Sequence, residues 1–286
     1  KLGSVPGDGV SVARIDFQGL DLPAGTTLSV YAGAAGQGVL LYNVAGTSST
    51  LDGTLRFYGV AGSTLRAQVQ DPNGLVVSGT GRITTSAALT VSTLGATWAE
   101  GQTLVNQGFV KGDAQLRLTG GRINGGGRFV GNDIHVATFG NANNPVNGNF
   151  FLANGLQFEP ATGTQVALSV SHYGTGPQVL NFAVNGDAVL AMPSAWPAGY
   201  FAPPNSLPAL PGEVRPPGAG NPAHGASGLI MQATGNLRLA GGASNDLVLA
   251  GGVVLKAGGT LDLDGVAIVN GWTLAGQSFQ GVNLEA

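Results

Sequence analysis

Two aspartates one residue apart, Asp262 and Asp264 in GGTLDLDG, have the types and spacing most suited to chemistry. On an extended strand, residues i and i+2 share a face and lie about 6.5 to 7 Å apart, which overlaps the carboxylate separation of inverting glycosidases. Such a pair on an outer wall would act as acid and base in a polysaccharide hydrolase or lyase. Asp264-Gly265 is equally an ordinary turn dipeptide, and two exposed carboxylates need only solvent. No neighbouring motif strengthens the catalytic reading, so the chain is expected not to be an enzyme.

The other candidates also meet simpler explanations. GGASNDLVL, residues 241 to 249, nearly matches the calcium-binding nonapeptide, with Ser244 at the position of its third glycine. Calcium in such repeats is held between consecutive copies, and the next segment, GGVVLKAGG, has no aspartate, so Asp246 reads as a corner residue. His135, His172 and His224 lack partners at metal-ligand spacing. His135, between Ile134 and Val136, is placed outward by alternation, as a plain surface histidine. No G-x-S-x-G elbow accompanies the serines. The glycines of GRINGGGRFVG precede no helix that would lend a phosphate loop its dipole, so they read as corners. Cysteine is absent, which removes disulfides and thiolate chemistry. No cofactor or metal is expected. Trp196, Tyr200 and Phe201, with Arg215 nearby, are the binding candidates, since clustered aromatics anchor protein or sugar contacts. The competing reading has these rings fold back against the body of the protein.

Charged residues make up 9% of the 286, against a usual figure of about 25%, while 49 residues are glycine and 43% are hydrophobic. Such a chain folds, and turns often. A net charge of −3 with 12 Lys and Arg leaves no basic face for phosphates, and no short window joins cations to aromatics, so nucleic acid is excluded as a partner. No stretch approaches the roughly 18 apolar residues of a membrane span.

Short alternating units recur between glycines: GTTLSVYAG, GTLRFYG, GSTLRAQV, DAQLRLTGG, GNLRLAGG, NDLVLAGG and GGTLDLDG. Period-two alternation bounded by turn residues predicts strands, and no window carries a capped 3.6 period. In Leu55-Arg56-Phe57, Leu65-Arg66-Ala67, Leu116-Arg117-Leu118, Leu237-Arg238-Leu239 and Leu261-Asp262-Leu263 the flanking residues should point inward and the charged one to water. Leu237 and Leu261 begin two such units with another unit between them, as when several short strands make one coil and the next coil stacks on it. The expected fold is all-β: a right-handed parallel β-helix of about 12 coils at roughly 20 residues each. With no polar cap visible at either end, a piece of a longer solenoid is expected.

The stretch NQGFVKGDAQLRLTGGRINGGGRFVGNDIHVAT, residues 106 to 138, pairs an N-x-G-x-hydrophobic-x-G unit with an L-x-L strand and then a looser copy. It resembles the repeats of the filamentous haemagglutinin-like exoproteins of Gram-negative bacteria, as do residues 228 to 286. The N-terminal secretion module of that family, with its N-P-N-type motifs, is not found in the sequence. The resemblance implies an internal fragment of a secreted or surface-displayed stalk, commonly adhesive, delivered by an outer-membrane two-partner secretion transporter. It also implies, as the target of adhesion, a host-cell or bacterial surface protein or carbohydrate.

Nine of the 15 prolines lie between Pro193 and Pro222. Proline cannot donate a ladder hydrogen bond, so the helix must stop or step aside there. The same L-x-L grammar occurs before and after. Residues 1 to 286 are therefore expected to form one continuous β-helix, with 192 to 225 as a loop between coils that presents Trp196, Tyr200, Phe201 and Arg215. The alternative functions are the carbohydrate-active enzyme built on Asp262 and Asp264 and a carbohydrate- or receptor-binding module built on the loop. A far-UV circular-dichroism spectrum should be dominated by strand; one dominated by helix would exclude the fold.

Overall fold

The computed structural model describes residues 2–4, 11–33, 38–60, 65–94, 102–139, 153–173, 179–191, 225–226, 228–241, 247–250, 253–269, 272–274, 277–279 and 281–286. Among them every regular element is a strand. The Pro-rich stretch, with Trp196, Tyr200, Phe201, Arg215 and His224, lies outside the described residues, as do Ser244 and Asp246.

Two large sheets carry the fold. The first has 11 strands, in the order Leu2–Ser4, Ser11–Phe17, Gly38–Asn43, Arg66–Gln70, Ala88–Ser92, Gln115–Gly120, Asp133–Phe139, Gln165–Tyr173, Asp187–Ala191, Leu237–Ala240 and Leu261–Asp264. Leu2–Ser4 runs antiparallel and lies on the outer edge of Ser11–Phe17; all later pairs are parallel. Among the described residues this ladder therefore has ten parallel strands. The length of chain per step also varies: the step from Leu116 to its partner Ile134 is short, whereas that from Leu190 to its partner Leu239 is more than twice as long. The long step spans the Pro-rich stretch. Strands on both its sides pair in parallel in each sheet, Ala188 with Leu237 and Val179 with Gly228.

The second sheet has 14 strands and begins as two ribbons. One stacks Thr27–Tyr31, Thr54–Tyr58, Arg82–Thr85, Phe109–Gly112 and Arg128–Val130; the other stacks Ser49–Leu51, Leu75–Val77, Thr103–Asn106 and Arg122–Asn124. They meet on one strand, Ala153–Glu159, whose Ala153 pairs with Ile123 and whose Phe158 pairs with Phe129. Val179–Val184, Gly228–Ala233, Val253–Ala257 and Val282–Glu285 follow. The corner between the ribbons persists inside the merged strand as Asn154-Gly155, with Gly155 at φ +70°. After the paired strand Arg122–Asn124, Gly125 has φ +131°, and a Cβ there would lie 1.9 Å from the Asn106 carbonyl oxygen. Only glycine fits this corner, in keeping with the clustered glycines of GRINGGGRFVG. A three-stranded sheet, Gly225–Ala226, Leu247–Ala250 and Val266–Val269, and an antiparallel pair, Trp272–Leu274 with Gln277–Phe279, complete the described strands.

Inward residues stack in columns through one shared core. Val39, Ala67, Leu89, Leu116, Ile134 and Leu168 form one such column, and Leu75, Leu104, Ile123, Ala153, Leu180, Leu229 and Val253 another. Phe129, Phe158 and Phe182 pack ring to ring, with centroids 5.9 and 5.5 Å apart. The expected alternation holds at Leu55-Arg56-Phe57 and Leu237-Arg238-Leu239, where the arginine is exposed and its neighbours are buried. It weakens at Leu261-Asp262-Leu263: Leu261 is half-buried and Leu263 is 37% exposed, because theirs is the last strand of the first sheet and nothing stacks over it among the described residues.

One corner is polar rather than apolar. At the C-terminal ends of two adjacent strands within the first sheet, Asn43 and Asp71 follow Tyr42 and Gln70, the last pair between those strands, and are fully buried. Asp71 accepts hydrogen bonds from Asn43 Nδ2 at 2.8 Å, Ser49 N at 3.0 Å and Asn73 N at 2.9 Å. Asn43 Oδ1 accepts from Gly19 N and Ala45 N. These side chains supply the partners that turning backbone loses when it leaves the ladder.

Gly125→Ala should lower stability by about 1 to 3 kcal/mol through strain at a left-handed position, more if the clash is not relieved. Gly126→Ala, which meets nothing within 4 Å, should be nearly neutral. Chemical denaturation of the two variants compares them directly, and equal midpoints would refute this account of the corner.

Candidate functional site

Parallel register brings together side chains that sequence distance separates. On the outer face of the first ribbon, Tyr31 pairs in register with Tyr58, Arg56 with Thr84, and Arg82 with Phe109, which in turn pairs with Arg128. The Tyr31 and Tyr58 rings stack at 4.9 Å with 12° between planes. Arg56 Nη1 donates to the Tyr58 hydroxyl at 3.0 Å, and its guanidinium lies 5.9 Å from that ring's centroid. Phe109 sits between two guanidinium groups, Arg82 at 5.4 Å and Arg128 at 5.0 Å. Cation–π contacts of this exposed kind are worth about 0.5 to 1 kcal/mol each.

The cations of this strip differ from the ion-paired ones. Arg14 pairs with Asp16, Lys111 with Asp113, Arg128 with Glu159, Arg238 with Asp262 and Asp264, and Lys256 with Glu285. Arg56 and Arg82 are instead held by aromatic rings, and no carboxylate lies within ion-pair distance of either among the described residues. Both are exposed, and Tyr31 above them is 70% exposed. No short sequence window contains the strip, because Tyr31, Arg56, Arg82 and Phe109 come from four successive strands of the ribbon, each a full winding further along the chain. The signal that finds it is repetition of Arg and aromatic residues at the length of a winding.

The Asp262 and Asp264 carboxylates share the outer face of their strand and are bridged by one guanidinium: Arg238 Nε lies 3.3 Å from Asp262 and Nη2 3.2 Å from Asp264. All three side chains are at least half exposed, and exposed ion pairs contribute about 0.2 to 1 kcal/mol. Both carboxylates are thus engaged by one cation of the neighbouring strand.

His135 departs from the expected surface histidine. Its position is outward, in the column between Arg117 and Ser169, yet it is 0% exposed. Neighbouring positions Thr119 and Ala137 on this face are buried as well, so outward does not mean solvated here. The ring Nδ1 shares a 2.7 Å hydrogen bond with Ser169 Oγ. Burial, and then the Arg117 charge, push the imidazole well below its ordinary value. A serine beside a neutral histidine has the atoms of a nucleophile and its base, but a fully buried ring offers a substrate no approach. Asp133, on the same strand and held by Gln115 Nε2 at 2.8 Å, is shifted upward by burial, partly offset by that hydrogen bond.

No group of three or more His, Cys, Asp or Glu that could hold a metal ion occurs among the described residues. No family model, curated protein or solved structure matches the chain.

The buried imidazole links stability to acidity. Folded His135 resists protonation, so the unfolded chain binds the extra proton and stability falls as pH drops below about 6.5. Asp133 acts oppositely: its folded carboxyl holds a proton more tightly, so acidification favours the fold across the window above the ordinary 3.8. His135→Gln should flatten the decline in melting temperature below pH 6.5, and an unchanged profile would count against the linkage.

Proposed function

We propose that the chain is a right-handed parallel β-helix, running through residues 1 to 286 with 192 to 225 as an excursion, that acts as a rigid, non-catalytic stalk. It belongs in this reading to a secreted or surface-displayed filamentous haemagglutinin-like exoprotein of a Gram-negative bacterium, exported through an outer-membrane two-partner secretion transporter. The observation that carries the proposal is the parallel ladder, which keeps register in both sheets across the long step from Leu190 to Leu239. Each added winding contributes hydrogen bonds and an apolar layer, and winding-by-winding folding after export needs no further energy source. The sequence contains no cysteine, which suits a chain that crosses membranes unfolded. Bridging of Asp262 and Asp264 by Arg238 speaks against the carbohydrate-active alternative.

A solenoid tolerates loss of a whole winding. Removing residues 116 to 133 takes out the step between Leu116 and Ile134, together with strands Arg122–Asn124 and Arg128–Val130. The shortened chain should remain a strand-rich protein with a cooperative melt at lower temperature; a collapsed or aggregated product would overturn the architecture. Antibody against the chain should label intact source cells or their medium. Release of products from a polysaccharide panel that Asp262→Asn abolishes would replace the stalk with the enzyme.

A further inference from the structure

We propose that the strip of Tyr31, Arg56, Tyr58, Arg82 and Phe109 binds a linear carboxylated polysaccharide laid along the stacking axis. The proposal rests on the adhesive side of the stalk reading. Three observations carry it. Two exposed guanidinium groups, Arg56 and Arg82, have no carboxylate within ion-pair distance among the described residues, in a chain whose net charge is −3. Each is already ordered against a ring, Arg56 on Tyr58 and Arg82 on Phe109, so less side-chain freedom is lost when a ligand arrives. The groups climb one strand at a time, a track of about 14 Å over the three steps from Tyr31 to Phe109 at ~4.8 Å per strand.

That pattern fits an extended chain with repeated acid groups and apolar ring faces. The planar guanidinium matches a carboxylate with two parallel hydrogen bonds, and exposed tyrosine supplies a flat amphipathic surface for a pyranose ring. Nucleic acid fits less well. Lys111 and Arg128 on the same face are neutralised by Asp113 and Glu159, leaving two uncompensated cations, and phosphate backbones draw their affinity from many neutralised phosphates.

The probe is polygalacturonate, with dextran, dextran sulfate and a single-stranded oligonucleotide alongside. Polygalacturonate should bind the protein in low salt and dextran should not. Arg82→Gln and Arg56→Gln should each weaken binding roughly tenfold, consistent with the worth of a charge-assisted hydrogen bond. Arg82→Lys keeps the charge, loses the planar fork, and should also weaken it; Arg238→Gln, on the other sheet, should leave it unchanged. Melting curves establish that each variant is folded. Failure of polygalacturonate to bind, undiminished binding by the folded Arg56→Gln/Arg82→Gln double variant, or equal or tighter binding of dextran sulfate or the oligonucleotide would overturn the assignment. An intact winding-deletion result beside any of these outcomes leaves the stalk standing and removes only the strip.

Discussion

The structure depends on the parallel backbone ladder. A strand within a stack has both hydrogen-bonding edges occupied, by the winding before and the winding after, and register fixes which side chains face the core. A slip of one residue at any level would turn an entire strand inside out, carrying leucine and phenylalanine to water and arginine to the interior. The columns that run through Leu116 and Ile123 are products of that constraint, as are the stacked phenylalanines. The corner network of Asn43, Ser49 and Asp71 is its complement, since backbone that leaves the ladder to turn must find partners elsewhere.

Much of this was legible in residue order. Alternation in the Leu-Arg-Leu units carries inside and outside directly, because a charge between two leucines has one low-cost orientation on a half-buried strand. The interval from Leu237 to Leu261 is a true register step. The long step from Leu190 to Leu239 is announced by its prolines, whereas the short one from Leu116 to Ile134 was less legible, because the number of residues between paired strands leaves no mark on the strands themselves. The merging of two ribbons on Ala153–Glu159 was also hidden: the Asn154-Gly155 corner that would otherwise separate two strands sits within one.

Outward-facing chemistry was harder to read for two reasons. Alternation reports which face a residue occupies and says nothing of what lies over that face; His135 occupies the predicted side and is nevertheless buried. Proximity on the outer wall is set by winding, so the Arg and aromatic strip has no local signature. The pair that did have one, Asp262 and Asp264, meets Arg238 from the preceding strand of its sheet, a neighbour one full winding away in sequence.

The unequal register steps have a consequence for how such a surface changes over evolutionary time. The short step that ends at Ile134 and the long one that ends at Leu239 advance the first sheet by the same single strand spacing, so the length of chain between paired strands varies without moving any outward column relative to its neighbours. The outer wall is thus a pegboard whose pitch is fixed by peptide hydrogen bonds. Variation can rewrite each peg, or hang a new segment from a corner, while the spacing between recognition groups is inherited unchanged.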